Sequence, residues 1–406
     1  MAPIGIDKRT SFLIDHVLNQ VALPCYYSRV INSLSGKSCL KQPNKTIEIP
    51  QGGYFSIYDI PSYLKPVLEE DLKNLKHKKT PLYAGYLINL KAYLHFEDYI
   101  KTIVRSARWS QLKRYKKRLD LCLKPSYSIY YGHNLNPDEY HKIFESLKQM
   151  TARRFAQKEE LNFELPYLDF YQEIMHPLIL EQKAAIFVIY HEDKPINITL
   201  NFFLEDICFH WNSCFDVDYA VFNLGHINMV NHLEWCFNKG FSVFDMGRGD
   251  FFHKRKWVDT SYVYEEHYLF STKSFKSLWH ANTMVSFKCL RYQSVQFLKK
   301  LQAQKAYGAY VRFKYRWFLK TPFKPLVSIE THHLVDIPDT MACTPINIFE
   351  PMYAPLIEPL NYFLHRNQES FHNVLVSCET KQPNRCYFKG LKNCQLMIMH
   401  QTNPIN

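Results

Sequence analysis

Between residues 184 and 270 the spacing of the apolar residues changes in an order that few folds can accommodate. Three short apolar segments separated by polar turns come first, which predicts an antiparallel meander. A segment with apolar residues at helical spacing follows, and two further strand-like segments complete the region. The six segments are residues 184–190, 196–204, 207–215, 225–239, 241–245 and 262–270. This order predicts an α/β (α+β) domain.

The predicted helix after the meander begins at Gly225, and Gly240 is a natural C-cap. A strand that leads through a loop into a helix presents free backbone N–H groups and the positive end of the helix dipole. Together these favour a bound anion. A lone glycine at a helix start is more often a simple turn, so both interpretations stay open.

The densest group of functional side chains follows the strand 241–245, which ends in Asp245. The charged residues and the histidine that come next are Arg248, Asp250, His253, Lys254 and Arg255. Loops after strand ends are where α/β folds place chemistry. A carboxylate there can accept hydrogen bonds, and cations can neutralise a phosphate or a developing oxyanion. A glycine-rich turn with an internal Asp–Arg ion pair is the alternative interpretation.

A strongly basic helix is predicted from about residue 95 to residue 119. No acidic residue lies between Lys101 and Leu119. The cations of its second half are Arg105, Arg108, Lys113, Arg114, Lys116, Lys117 and Arg118. Like charges this close repel one another unless the helix faces an anion or an acidic neighbour. Phosphate recognition and a solvated basic face are therefore both open.

Four segments resemble the acetyltransferase domain of CelD-like proteins, which belong to the GNAT superfamily and are related to FemAB aminoacyltransferases. The basic helix RSARWSQLKRYKKRL is similar to that family's Arg-rich helix, and KPINITLNFF resembles its meander turn. Asn223-Leu-Gly225 resembles its donor-site loop. The segment from Asp245 to Trp257 resembles its terminal Asp-x-Gly signature. The segments are residues 105–119, 194–203, 223–225 and 245–257.

The resemblance implies transfer of an acyl group from acyl-CoA, acetyl-CoA first, to an amine or hydroxyl, in cell-envelope or polysaccharide metabolism. It places the donor at Leu224, Gly225 and His226. The catalytic candidates are Asp245, Arg248, Asp250 and Lys254. The candidates for binding the substrate are Arg108, Arg114, Asp216 and His253.

Two other functions stay open. An aminoacyltransferase would take its acyl group from charged tRNA, and the basic helix would then contact tRNA phosphates. A non-catalytic binding or scaffold protein would have lost the donor site, and the absence of the full Gln/Arg-x-x-Gly-x-Gly motif favours it. The Asp-x-Gly-x-Gly segment at 245–249 favours an enzyme, because a scaffold has little use for a charged cluster at a strand end.

The resemblance also implies a mixed sheet with flanking helices. The chain is predicted to have three parts, of which the last lies outside the resemblance. Residues 1–155 would form an N-terminal lobe, GNAT-like as in FemAB relatives. Residues 156–325 would form the C-terminal GNAT-like lobe with trailing basic helices, and residues 326–406 an appended segment. The trailing helices would pack on the second lobe or rest on a membrane surface.

The composition limits partners and location. Fifty Lys and Arg against 38 Asp and Glu give a net charge of +12, which indicates an anionic partner without identifying it. Eleven cysteines lie singly without a CxxC pair, so we predict no metal site and buried thiols in a reducing compartment. No signal peptide or run of about 18 apolar residues is present, which predicts a cytoplasmic protein. The acceptor would be a small molecule, glycan or lipid, and DNA is not expected.

Overall fold

The computed structural model describes most of the chain. The described residues are 9–23, 26–41, 54–69, 75–132, 135–160, 164–252, 254–272, 274–301, 303–319, 327–337 and 342–401. The strands are β1 Arg9–Ser11, β2 Tyr27–Asn32, β3 Ser38–Lys41, β4 Tyr54–Pro61, β5 Leu64–Leu68, β6 Leu75–Asn89, β7 Ser126–Tyr130, β8 Ala184–His191, β9 Lys194–Leu204, β10 Ile207–Phe215, β11 Val243–Arg248, β12 Thr260–Ser271, β13 Val327–Leu334, β14 Cys343–Pro345, β15 Leu375–Glu379, β16 Arg385–Lys389 and β17 Cys394–Gln401. The helices are α1 Phe96–Ile103, α2 Ser106–Leu123, α3 Pro137–Lys158, α4 Leu165–Leu180, α5 Leu224–Lys239, α6 Phe275–Lys300, α7 Ala303–Leu319 and α8 Ile357–Asn367.

A nine-stranded mixed sheet organises the fold, in the order β1-β4-β12-β6-β11-β10-β9-β8-β7. The pairs β1–β4 and β10–β11 are parallel, and the other neighbouring strands are antiparallel. The predicted meander is β8, β9 and β10, and the predicted helix and strand that follow it are α5 and β11. The predicted α/β class, a mixed sheet with flanking helices, is confirmed.

Alternation along the central strands directs side chains to two cores. On β8, Ile186 and Val188 join a core that includes residues of α3 and α4. Ala185 and Phe187 join a second core with residues of α1, α2 and α5. This pattern follows from the two-residue period of a strand that is covered on both faces.

The basic helix predicted as one piece is two helices, and this prediction was wrong. Helix α1 ends at Ile103, where the backbone of Val104 becomes extended with φ −93° and ψ 113°. Arg105 is also extended before α2 begins. Val104 is buried in the core against α5, so packing of a β-branched side chain replaces helical continuity there.

The last part of the chain builds a second, antiparallel sheet in the order β13-β17-β16-β15-β14. This sheet and α8 share a core with α2 and the first turn of α5, including Leu119, Leu224 and Leu360. A disulfide joins Cys378 and Cys386 on β15 and β16, where the sequence predicted only separate thiols. The two cysteines are cross-strand partners, a relation that sequence spacing does not reveal.

The main sheet contains strands from both predicted lobes, residues 1–155 and residues 156–325. The predicted parts therefore do not correspond to separate sheets. The predicted boundary at residue 155 lies inside α3. A small sheet, β3-β2-β5, belongs to the N-terminal region. The division into lobes stays a prediction. Across the described ranges, none of the helices combines the length and hydropathy that a bilayer span requires.

Candidate active site where two parallel strands part

Strands β10 and β11 run side by side for a short distance and then separate. Their paired residues are Ile207 with Val243, Cys208 with Phe244, and Phe209 with Asp245. Beyond this point β10 continues beside β9, whereas β11 continues beside β6 as far as Arg248. The carboxyl ends of these two parallel strands, which α5 connects, therefore separate, and this is the position where open α/β sheets bind ligands. We call this separation between β10 and β11 the cleft.

Asp245 lies where the strands part, and it is only 1% exposed. The Tyr63 hydroxyl donates to its Oδ2 at 2.7 Å, and the Tyr262 hydroxyl lies 2.7 Å and 2.6 Å from its two oxygens. The Gly247 N–H donates to Oδ1 at 2.7 Å. Burial raises the pKa of Asp245, although these donors and nearby Lys254 act in the opposite direction. Enclosed in this way, Asp245 holds the groups around it in place.

Tyrosine hydroxyls continue from Asp245 toward the surface. We define Tyr63, Tyr83, Tyr262 and Tyr264 as the tyrosine cluster. The hydroxyls of Tyr262 and Tyr264 lie 2.8 Å apart, and the rings of Tyr264 and Tyr83 have centroids 4.9 Å apart. Burial raises the pKa of all four phenols. At neutral pH they are therefore protonated and can donate hydrogen bonds.

Asp59, Tyr83 and Arg248 form the open edge of this cluster. The Tyr83 hydroxyl donates to Asp59, and burial raises the pKa of that carboxyl, opposed by Tyr83 and by the charge of Arg248. Asp59 has φ +63°, a left-handed conformation that is unusual for a residue other than glycine. The exposed Arg248 guanidinium lies 5.9 Å from the Tyr83 ring centroid. Strained backbone of this kind is concentrated at functional sites.

Gly85 makes the contact between Tyr262 and Asp245 possible. Strand β6 lies between β12, which carries Tyr262, and β11, which carries Asp245. Gly85 is the cross-strand partner of Tyr262, and a Cβ at this position would lie 2.3 Å from the tyrosine ring. The missing side chain lets the phenol cross β6 and reach the carboxylate.

Lys254, a predicted catalytic residue, has a buried ammonium group behind the end of β11. It donates to the carbonyl oxygens of Met246 at 2.5 Å and Arg248 at 2.7 Å. Burial lowers its pKa to about 8, Asp245 opposes this shift, and Arg248 adds to it. These contacts fix the turn after β11, and a catalytic role for Lys254 stays a prediction.

Asp250, also predicted to be catalytic, forms a bidentate ion pair with Arg255 at 2.6 and 2.5 Å. The hydrogen bond from Arg255 is the largest cause that lowers the pKa of Asp250. The pair is largely exposed, which matches the predicted alternative of an internal Asp–Arg contact at this turn. His253, a predicted substrate-binding residue, lies outside the described residues.

The predicted donor residues divide between two environments at the start of α5. Leu224 is fully buried against α8, whereas Gly225 and His226 are half-buried. A Cβ on Gly225 would meet only the Phe215 ring, at 3.9 Å. The first turn of α5 carries no acidic residue, so space and dipole both suit an anion beside Gly225.

Arg108 lies close to this helix start. Its guanidinium stacks 4.6 Å from the Trp257 ring and donates to the Lys256 carbonyl at 2.9 Å. The His226 and Trp257 rings have centroids 6.2 Å apart. Arg108 Nη2 is buried without a hydrogen-bond partner among the described residues. Arg114 lies six residues further along α2, which is less than two turns, and it is exposed, so only Arg108 joins the predicted donor residues.

Asp216, a predicted substrate-binding residue, belongs to a second group of charges. We define Arg153, Lys194, Asp216 and Asp218 as the ion-paired cluster. Lys194 bonds Asp216 at 2.7 Å, and Arg153 bonds Asp216 at 3.2 Å and Asp218 at 2.7 Å. Asn361 of α8 donates to the Asp218 carbonyl at 2.9 Å. These partners anchor the β10–α5 connection under α8, and substrate binding by Asp216 stays a prediction.

Sequence reasoning named Asp245 and Arg248 as candidates but did not name their neighbours Asp59, Tyr63 and Gly85. One signal was available, because Tyr262 and Tyr264 alternate on a predicted strand and so share one face. The others come from distant strands, and only the sheet order brings them together. Within the described ranges, no cluster of three or more His, Cys, Asp or Glu side chains could hold a metal ion.

Residues 106–255 match the family model described as an acetyltransferase (GNAT) domain. This segment contains α2, the meander, α5 and β11. The predicted GNAT relationship is therefore confirmed over these residues, and acyl transfer is the general chemistry that it supports. No curated protein matches the sequence.

Several solved structures show weak likeness to the chain. A conserved protein of unknown function from Bacteroides thetaiotaomicron is 10% identical, covers 54% of this chain and 70% of its own, and has a TM-score of 0.36. FemX is 11% identical, with 53% and 71% covered and a TM-score of 0.36. The C-terminal domain of a putative lysylphosphatidylglycerol synthetase from Agrobacterium fabrum is 14% identical, with 54% and 68% covered and a TM-score of 0.31. These likenesses are too weak to support an argument.

Proposed function

We propose that this protein is an acyltransferase that moves an acyl group from acyl-CoA to an amine or hydroxyl at the cleft between β10 and β11. The observation that supports it most directly is the buried Asp245 with its tyrosine cluster at the point where the parallel strands part. A buried carboxylate with a raised pKa, placed where two parallel strands separate, is a frequent mark of a functional site.

The chain's own residues would divide the work as follows. Asp245 positions Tyr63 and Tyr262 through the hydrogen bonds that their hydroxyls donate to it, and this fixes the tyrosine cluster beside the cleft. Arg248, exposed at the edge, stabilises negative charge on the thioester oxygen. Asp59, half-buried beside Tyr83, is the carboxylate placed to accept the acceptor's proton. The nucleophile would then bond to the carbonyl carbon as the carbon–sulfur bond breaks, and the CoA thiolate would leave and take up a proton to become free CoA, balancing the proton that Asp59 accepts.

The start of α5 fits a phosphate-bearing donor. Space beside Gly225, the absence of acidic residues in the first turn and the unused Arg108 Nη2 atom are all compatible with a pyrophosphate. When bound, acyl-CoA would supply the activated thioester. Gly225 would hold a phosphate through its backbone N–H group, with His226 and Arg108 adjacent, because the His226 N–H already donates to the Asn223 carbonyl.

Titration with acetyl-CoA, longer acyl-CoAs and free CoA, followed by calorimetry and thermal shift, tests this assignment. We expect saturable binding. Gly225→Asp should weaken it at least tenfold, because the new carboxylate would repel the donor phosphates while favouring the helix start. Gly225→Ala is the matched control and should bind within twofold of the original chain, since the site has room for a Cβ.

Equal binding by the aspartate and alanine variants would contradict the assignment of the donor site to α5. No binding by the original chain would exclude acyl-CoA as the donor.

Charged tRNA is the second candidate donor, favoured by the exposed cations of α2. These are Lys113, Arg114, Lys116 and Lys117. Its binding should be saturable, weaken steeply with salt and fall after Lys113→Glu with Arg114→Glu.

A further inference from the structure

Helices α6 and α7 contact each other and form a strongly basic hairpin. Residues 275–319 contain nine Lys and Arg and no Asp or Glu. The cations are Lys276, Lys288, Arg291, Lys299, Lys300, Lys305, Arg312, Lys314 and Arg316. A segment of this length carries a strong positive field, because no carboxylate within the segment neutralises its cations.

One face of α6 packs on the main sheet. Ala281 is buried against Tyr268 and Phe270 of β12, with Leu278, Met284 and Val285 beside them. Lys288 pairs with buried Glu266 at 2.5 Å. On α7, Arg316 pairs with Glu159 at 2.6 Å and Tyr315 is buried. These contacts hold the hairpin to the body of the protein.

The opposite face of α6 exposes large apolar side chains. They recur at intervals close to whole helical turns, so they form one stripe along the helix. Its members, between 50% and 79% exposed, are Phe275, Trp279, Phe287, Leu290, Phe297 and Leu298, followed by Leu301 directly after the helix. Helix α7 adds Tyr310, Phe313 and Trp317, between 58% and 73% exposed. Monomeric soluble proteins rarely expose so large an apolar surface unless something covers it.

This surface lies near the candidate active site. Asp250, in the loop after β11, has its pKa lowered mainly by Arg255 and to a smaller extent by Lys299, which places the end of α6 close to that loop. The same loop exposes Phe252, which is 74% accessible, with Lys256 4.3 Å from its ring centroid. Apolar and basic side chains therefore continue from the hairpin to the site.

We propose that the α6–α7 hairpin and Phe252 dock on the surface of an anionic lipid bilayer. Apolar side chains interleaved with cations are the pattern of helices that lie in a membrane interface, where the rings enter the acyl boundary and Lys and Arg remain at the headgroups. A second copy of the chain is disfavoured, because two hairpins without acidic residues would repel each other. Nucleic acid would match the cations but leave the aliphatic residues of the stripe exposed.

Flotation of the full chain with vesicles tests the proposal. We expect binding to vesicles of phosphatidylcholine and phosphatidylglycerol in equal parts, at least tenfold weaker binding to phosphatidylcholine alone, and release by salt. Phe297→Ser with Leu298→Ser, and separately Lys299→Glu with Lys300→Glu, should each weaken binding at least tenfold. The apolar control is Leu94→Ser, at another exposed site, and the charge control is Lys113→Glu with Arg114→Glu on α2.

Brominated lipids supply a second measurement. Tryptophan emission should be quenched in the original chain, and Trp279→Phe with Trp317→Phe should lose most of that quenching while still floating with the vesicles. No flotation at low salt would overturn the proposal, and so would an equal loss from the α2 charge control. Self-association that the stripe variants abolish, measured by light scattering without lipid, would instead assign the hairpin to a second copy.

Discussion

Two groups of buried carboxylates lie on either side of the cleft, and they are satisfied in opposite ways. Asp245 receives its hydrogen bonds from tyrosine hydroxyls and a backbone N–H, all of them neutral donors. Asp216 and Asp218 receive theirs mainly from the cations Arg153 and Lys194. The first arrangement leaves a negative charge in a buried place, whereas the second neutralises it.

The difference distinguishes a carboxylate that can influence a reaction from one that anchors a loop. A buried carboxylate without a bonded cation holds its proton more tightly, as the raised pKa of Asp245 shows, and its field acts on whatever enters the cleft. A carboxylate that binds an arginine through both of its oxygens has few lone pairs available for a substrate, but it fixes the loop that carries it. We therefore expect substitutions in the tyrosine cluster to affect both transfer and stability, and those in the ion-paired cluster to affect mainly stability.

Asp245→Asn should have the largest effect. The amide leaves one acceptor for three donors and turns an NH₂ group toward one of them, so the free energy of unfolding should fall by about 2–3 kcal/mol. Transfer activity should fall at least a hundredfold. Asp218→Asn is the control, with a loss of about 1 kcal/mol because Arg153 is partly solvated, and activity within threefold. Urea unfolding and turnover measure both; equal activity losses in the two variants would erase the distinction.

Gly85→Ala should have an intermediate effect. Its methyl group would displace the Tyr262 ring and break the contact with Asp245, at a cost of about 2 kcal/mol from overpacking. Gly308→Ala on α7 is the matched control, because a Cβ there meets nothing within 4 Å and alanine favours the helix. Thermal unfolding compares them. A Gly85→Ala protein as stable as the original would show that Tyr262 is not confined by β6.

Mild acid should have the smallest effect and should act beside the ion-paired cluster. His191 contacts the Tyr219 hydroxyl at 3.0 Å, and burial, followed by the charges of His372 and Lys194, lowers its pKa to about 4. The unfolded chain binds the proton at a pKa of about 6.5, so stability is lost as pH falls from 6.5 toward 4. Between pH 7 and pH 5.5 this histidine should contribute a loss of about 1 kcal/mol.

Comparison with His191→Phe isolates that contribution, because the other buried histidines are present in both proteins. The variant should be less stable at pH 7, having lost the Tyr219 contact, but its stability should depend less on pH. Urea unfolding at several pH values measures the slope. Identical slopes would assign the acid sensitivity to other groups.

Local sequence patterns predicted much of the sheet and helix order but little of the site's surroundings. The meander and α5 carry strong periodicity, so β8, β9, β10 and α5 could be placed from sequence alone. The break at Val104 could not, since it depends on a core contact that overrides helix propensity. Tyr63 and Gly85 reach Asp245 through strand neighbours far apart in the chain, and no local pattern encodes such neighbours.

The position of β6 between β11 and β12 has a consequence for how the chain folds. Residues 75–89 are synthesised early, yet both their strand partners come much later, at 243–248 and 260–271. During synthesis β6 must therefore wait without a hydrogen-bonded strand on either side. Unpaired strand edges promote aggregation, and pairing between distant segments slows folding. A fragment limited to residues 106–255 would also lack β6, Tyr63 and Tyr262, so it would expose the edge of β11 and contain no complete site.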